Sequence, residues 1–105
     1  MIETKDETRS GWLVVHVRGR ADAESADTLE DALKGALTKS TKVAADCAGL
    51  DYISSAGLRA VIQAARAAES LNVEFAVCSL SGNVKKVFDM SGLHHILKIH
   101  GELPC

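Results

Sequence analysis

Two adjacent hydroxyls, Ser54 and Ser55, stand where an apolar run ending at Ile53 meets a helical pattern beginning near Gly57 and Leu58. The chemistry suited to such a junction is acceptance of a phosphoryl group. The first four amides of a helix lack intrahelical partners, and the aligned peptide dipoles add partial positive charge there. An anion carried by a serine at that end is therefore stabilised. Serine is also a strong N-cap residue, so the plainer role of either hydroxyl is to start the helix. Gly57 lets another backbone approach closely.

Other chemistries find little footing. The chain has no GxSxG elbow, no glycine-rich loop ending in GK[ST] and no GxGxxG. A serine hydrolase would need a base and an orienting acid beside Ser54 or Ser55, and no motif places them there. The histidines are His16, His94, His95 and His100, and none has the i, i+4 spacing with an acid that a helical zinc site uses. Cys47 and Cys78 fall inside strand-like segments and Cys105 is the last residue; an odd count without CxxC spacing reads as reduced thiols. The expectation is a binding module: no enzyme, no catalytic residues, no metal ligands and no cofactor of its own.

Composition narrows the partners. At 105 residues the chain reads as a single domain spanning 1–105, with 47% apolar and 25% charged residues, ordinary for a globular protein. Its net charge of −2 argues against nucleic acid, which needs clustered Lys and Arg; Lys85-Lys86 is an isolated pair. No apolar run approaches a membrane span and no signal pattern opens the chain, so a cytoplasmic location, away from membranes, is expected. Low charge and the lack of an apolar stripe outside the helices favour a monomer.

The elements that must position the serines follow from periodicity. Residues 2–8 alternate as a first edge strand, Ser10-Gly11 reads as a turn, and Trp12–Gly19 is a β-branched, central strand. A polar loop, Arg20–Ser25, precedes a helix to Leu37 whose apolar face is Ala26, Leu29, Ala32, Leu33, Ala36 and Leu37. Asp27, Glu30, Asp31 and Lys34 stay outside. Lys42–Cys47 is a second central strand feeding Gly49-Leu50-Asp51. The helix after the serines buries Leu58, Val61, Ile62 and Ala65, exposes Arg59, Gln63 and Arg66, and ends at Asn72, which tolerates the left-handed conformation. A strand over Val73–Cys78, a loop or cap at 81–83 and a short helix carrying Val84, Val87, Phe88 and Met90 come next. Gly92 closes that helix, and His95–Ile99 forms a last strand. The order is β-β-α-β-α-β-α-β: an α/β domain with a mixed sheet of about five strands and helices packed against it.

Leu50-Asp51-Tyr52-Ile53-Ser54-Ser55-Ala56-Gly57-Leu58-Arg59 strongly resembles the signature of STAS domains of the bacterial anti-sigma factor antagonist type. Gly19-Arg20-Ala21-Asp22-Ala23 is similar to that family's loop between second strand and first helix. Val84-Lys85-Lys86-Val87-Phe88-Asp89-Met90-Ser91-Gly92-Leu93 resembles its third helix and following turn, so the likeness runs over about residues 5–100. The resemblance implies a partner switch. The unphosphorylated antagonist binds an anti-sigma factor, typically a serine kinase of the histidine-kinase-like ATPase type, and a sigma factor is freed. Phosphorylation at the start of the second helix breaks the complex, and a PP2C-type phosphatase resets it. ATP and any metal would belong to those partners. Members often carry Asp-Ser-Ser-Gly-Leu or Asp-Ser-Thr-Gly-Leu; here Ser54 replaces the Asp, Ser55 matches the first hydroxyl and Ala56 replaces the second. Ser55 is thus the expected phosphorylation site, with Ser54 the alternative. By the same resemblance Asp22, Ser54, Ser55, Ala56, Gly57, Leu58 and Arg59 form the partner contact, although Asp22 also suits a helix-start loop and Leu58 is divided between core and surface. The same fold also serves scaffold or accessory roles, as a stressosome subunit or lipid transport component, without a phospho-switch.

Overall fold

Ser10 and Gly11, with φ of 50° and 86°, make a two-residue turn in which both residues are left-handed. Its twist matches that of the flanking strands, so β1 (Ile2–Arg9) and β2 (Trp12–Ala21) pair antiparallel from Arg9↔Trp12 to Ile2↔Gly19. The computed structural model describes residues 2–80, 82–91 and 98–100. After β2 come α1 (Ala26–Leu37), β3 (Lys42–Ile53), α2 (Ser55–Leu71), β4 (Glu74–Cys78), α3 (Gly82–Ser91) and β5 (Lys98–His100). The sheet runs β1-β2-β3-β4-β5, parallel from β2 onward, so the element order is the one periodicity implies.

Each crossover carries its helix over the same face of the sheet. There Val15 and Val17 of β2, Val43, Ala45 and Cys47 of β3, and Phe75 and Val77 of β4 meet Leu29 and Leu33 of α1, Val61 of α2 and Phe88 of α3. Burying a side chain such as Leu29 or Leu33 contributes about 2 kcal/mol. The opposite face holds a smaller cluster of Trp12, Val14, Ala44, Ala76 and Cys78, with the Lys42 ammonium 5.8 Å from the Trp12 ring. Cys47 and Cys78 are buried thiols outside any disulfide, and burial pushes the Cys47 thiol up.

Several details depart from expectation. β2 does not close at Gly19 but continues through it, at φ 101°, to Ala21. β3 does not end near Cys47; it continues to Ile53, absorbing Gly49 and Asp51 in two register shifts against β2, at His16/Arg18 and Gly19/Arg20. The buried stripe of α2 is Gly57, Ala60, Val61, Ala64 and Ala68, while Leu58, Ile62 and Ala65 are half-buried along its margin. Small side chains there let the helix lie close to its neighbours, a preference that hydrophobicity alone does not register. Met90 is 88% exposed and takes no part in the face of α3 formed by Val84 and Phe88. Asn72 does end α2 left-handed, at φ 56°. Gly92, His94, Cys105 and the first three residues of the expected last strand, 95–97, lie outside the described residues.

Candidate functional site

The junction between β3 and α2 is held by main-chain bonds. The Ser54 amide donates to the Ala21 carbonyl at 2.8 Å, tying the start of α2 to the end of β2, and the Leu58 amide donates to the Ser54 carbonyl at 2.8 Å. Ser54 is the N-cap, extended at φ −95° and ψ 177°, and its Oγ accepts from the Gly57 amide at 3.3 Å. Gly57 is needed for that closeness. A Cβ there would stand 2.5 Å from the Ala21 carbonyl oxygen and 2.8 Å from the Ala21 Cβ.

Ser55 follows as the first helical residue and is exposed. Among the described residues no hydrogen bond engages its hydroxyl. It stands at the rim of a groove of about 390 Å³ between α1 and α2, floored by Ala26, Ala56 and Ala60 and edged by Asp27, Glu30 and Arg59. The first turn of α2 carries no acidic residue that would oppose an added anion. The Lys34 ammonium pairs with Glu30 at 2.7 Å along α1. Beside the junction, the Arg20 guanidinium stacks 4.3 Å from the ring centre of half-exposed Tyr52.

Asp22 belongs to the loop that Ala21 begins. Its Oδ1 accepts from the amides of Glu24 and Ser25, each at 3.1 Å, and lies 3.0 Å from the Ser25 hydroxyl. That hydroxyl also reaches the Arg20 carbonyl at 2.7 Å, and accepts from the Asp22 amide at 3.0 Å. The Ser25 hydrogen bond, foremost, holds the Asp22 carboxyl below the usual carboxylate range. Asp22 therefore shapes the start of α1, the structural role that its sequence context also allowed.

Ser55, Ala56 and Arg59 line one groove with Ala23 of the loop after Asp22; Ser54 and Asp22 are not among its lining residues, Gly57 is buried, and Leu58 packs half-buried against the core. Periodicity marks Asp27 and Glu30 as outer-face residues of α1; their i, i+3 spacing puts them on one side without saying that α2 lies beside it. His16 does not approach the serines. Its ring bridges Glu7 and Asp46 elsewhere in the sheet. Among the described residues no cluster suited to a metal ion occurs, and no helix is long and apolar enough to cross a membrane.

Comparison with known proteins extends these observations. The family model described as the STAS domain matches residues 3–103. A Bordetella bronchiseptica protein named as a candidate anti-sigma factor antagonist, BtrV, is 34% identical over 90 residues, covering 85% of this chain and 78% of its own. Two solved structures share the fold. An anti-sigma factor antagonist from Mycobacterium paratuberculosis superposes with a TM-score of 0.84 at 24% identity, over 98% of this chain and 88% of that one. The Bacillus cell fate determinant SpoIIAA in its phosphorylated form gives 0.68 at 19% identity, over 92% and 90%.

Proposed function

The chain belongs to the STAS domain family, among the anti-sigma factor antagonists, and from that membership we propose that it is a phosphorylation-controlled partner switch acting through Ser55. The unmodified protein docks an anti-sigma factor that is also a serine kinase of the histidine-kinase-like ATPase type, and the sigma factor held by that kinase is freed. The groove between α1 and α2 is the contact, with Asp22, Ser54, Ala56, Leu58 and Arg59 around the central Ser55 and Gly57 beneath. The kinase holds ATP; the Ser55 oxygen takes the γ-phosphoryl group, ADP leaves, and the hydroxyl proton passes to a base of the kinase. A PP2C-type phosphatase, carrying its own metal, hydrolyses the ester and resets the chain.

One observation carries the choice of serine. The Ser54 hydroxyl caps α2, while the Ser55 hydroxyl is exposed at the same helix start. A phosphate on Ser55 adds about −1.5 to −2 charge and three strong acceptors at the positive end of the helix, so the chain itself tolerates it. A partner seated on the groove does not, because the phosphate must be desolvated beside Asp27 and Glu30. A penalty of about 3–4 kcal/mol weakens binding by some hundreds of times without moving the backbone. The Bacillus neighbour solved in phosphorylated form is consistent with such a modification on this fold.

Incubation with the cognate kinase and ATP, read by mass spectrometry and by co-elution, tests the reading. The wild type should gain one phosphate and leave the complex; Ser55→Ala should stay unlabelled and bound. Full labelling of Ser55→Ala would move the site to Ser54, and a stable complex that is never labelled would make the chain a scaffold.

A further inference from the structure

On the sheet face away from the helices, His16 of β2 lies between Glu7 of β1 and Asp46 of β3. Its Nε2 is 2.7 Å from Glu7 Oε1, and its Nδ1 is 2.6 Å from Asp46 Oδ2. An ionised carboxylate only accepts, and a neutral imidazole carries a single N–H. With both carboxylates ionised, two contacts of this length place a proton on each ring nitrogen and make the ring an imidazolium. The two arms are unequal. Asp46 Oδ1 also accepts from the Ala48 amide at 3.1 Å, beside the first register shift of β3. The Asp46 side chain is 12% exposed against 50% for Glu7.

We propose that Glu7, His16 and Asp46 form a proton-dependent clamp that fastens the edge strand β1 to β2 and β3 and releases it when the imidazolium loses a proton. The proton goes to solvent and no covalent bond changes. The remaining N–H stays with Asp46, the better-held arm. The bare Nε2 lone pair then faces the Glu7 carboxylate, and two acceptors at that distance repel. β1 borders the sheet on one side alone; its other charged tie among the described residues is the exposed Asp6–Lys39 pair, at 3.7 Å.

The surrounding charges fit this assignment. Lys5 stands directly opposite His16 in the β1–β2 ladder, and Glu3 and Arg18 share with them a cavity of about 350 Å³. Arg9 lies further along β1, and the described helices pack on the other face of the sheet. The Glu7 hydrogen bond, then the Asp46 contact, hold the His16 ring above its ordinary value of 6.5 despite partial burial. The same bond to His16 holds Glu7 below its ordinary 4.5. The His16 contribution is complete below pH 6.5 and is lost as pH rises through the raised folded value. The Glu7 contribution is present above pH 4.5 and is lost as pH falls through the lowered one. Between those two limits the clamp is closed.

Ring-nitrogen NMR on the whole chain, paired with amide exchange of β1, tests it. At about pH 6 both His16 nitrogens should be protonated, with a titration midpoint above the ordinary imidazole value. Past that midpoint the protection of β1 amides should fall on the order of fivefold relative to β3 amides. In Glu7→Gln, at an exposed position of β1, the midpoint should drop and β1 protection should be low throughout. A neutral single tautomer at about pH 6 overturns the proposal, and that measurement needs no variant. So does a midpoint left unchanged by Glu7→Gln, or β1 protection that ignores pH. The serine switch is untouched by either result.

Discussion

α1 and α2 both begin at serine, and the two starts treat their hydroxyls in opposite ways. At α1 the Ser25 side chain is 5% exposed and is consumed within the protein by Arg20 and Asp22. At α2 the Ser54 hydroxyl is likewise engaged, but it leaves the next residue, Ser55, facing outward. Serine at a helix start is thus uninformative until its hydroxyl is followed to a partner. α1 uses a carboxylate and a buried hydroxyl to set its first turn, whereas α2 uses main-chain bonds and a missing side chain at Gly57. What α2 gains is a free side chain at the positive end of the helix.

The contrast can be broken at Gly57. Gly57→Ala forces a methyl against the Ala21 carbonyl and should cost about 3 kcal/mol in chemical denaturation, displacing Ser55 with the first turn. Ser25→Ala should cost about 2 kcal/mol, since it strands buried polar groups of the loop, and should leave labelling of Ser55 intact. The two serines of α2 sharpen the comparison further. Ser54→Ala removes a cap worth about 1 kcal/mol, while Ser55→Ala should change stability by less than about 0.5 kcal/mol and yet abolish phosphorylation. The smallest effect is acidic. Asp22, held low chiefly by the Ser25 hydroxyl, contributes stability above its ordinary 3.8 that is lost as pH falls through the lowered value. The Glu24 and Ser25 amide shifts should follow that titration, while those of Gly57 and Leu58 do not.

The sequence announced the helix starts, the Ser10-Gly11 turn and the left-handed Asn72 because each depends on local conformation alone. Periodicity puts Leu58 and Ile62 on the buried face of α2, whereas close packing selects Gly57, Ala60, Ala64 and Ala68. β3 runs on past Cys47 through two register shifts, and a bulge leaves no separate mark in composition. The candidate serines were legible from their place before a helix; the acids at the groove rim were not, since their nearness to Ser55 arises only once α1 and α2 lie side by side. The Glu7–His16–Asp46 contact is of the same kind. It needs an antiparallel register on one flank of β2 and a parallel register on the other, and neither can be read from residue order.

The tie from Ser54 to Ala21 has a consequence for how such a site can drift. Because the bond joins main chain to main chain and the contact below it wants no side chain, the coordinates of position 55 are inherited from the scaffold rather than from its decoration. Threonine, cysteine or an acid installed there would occupy the same outpost, so recognition can be rewritten while its mounting stays put.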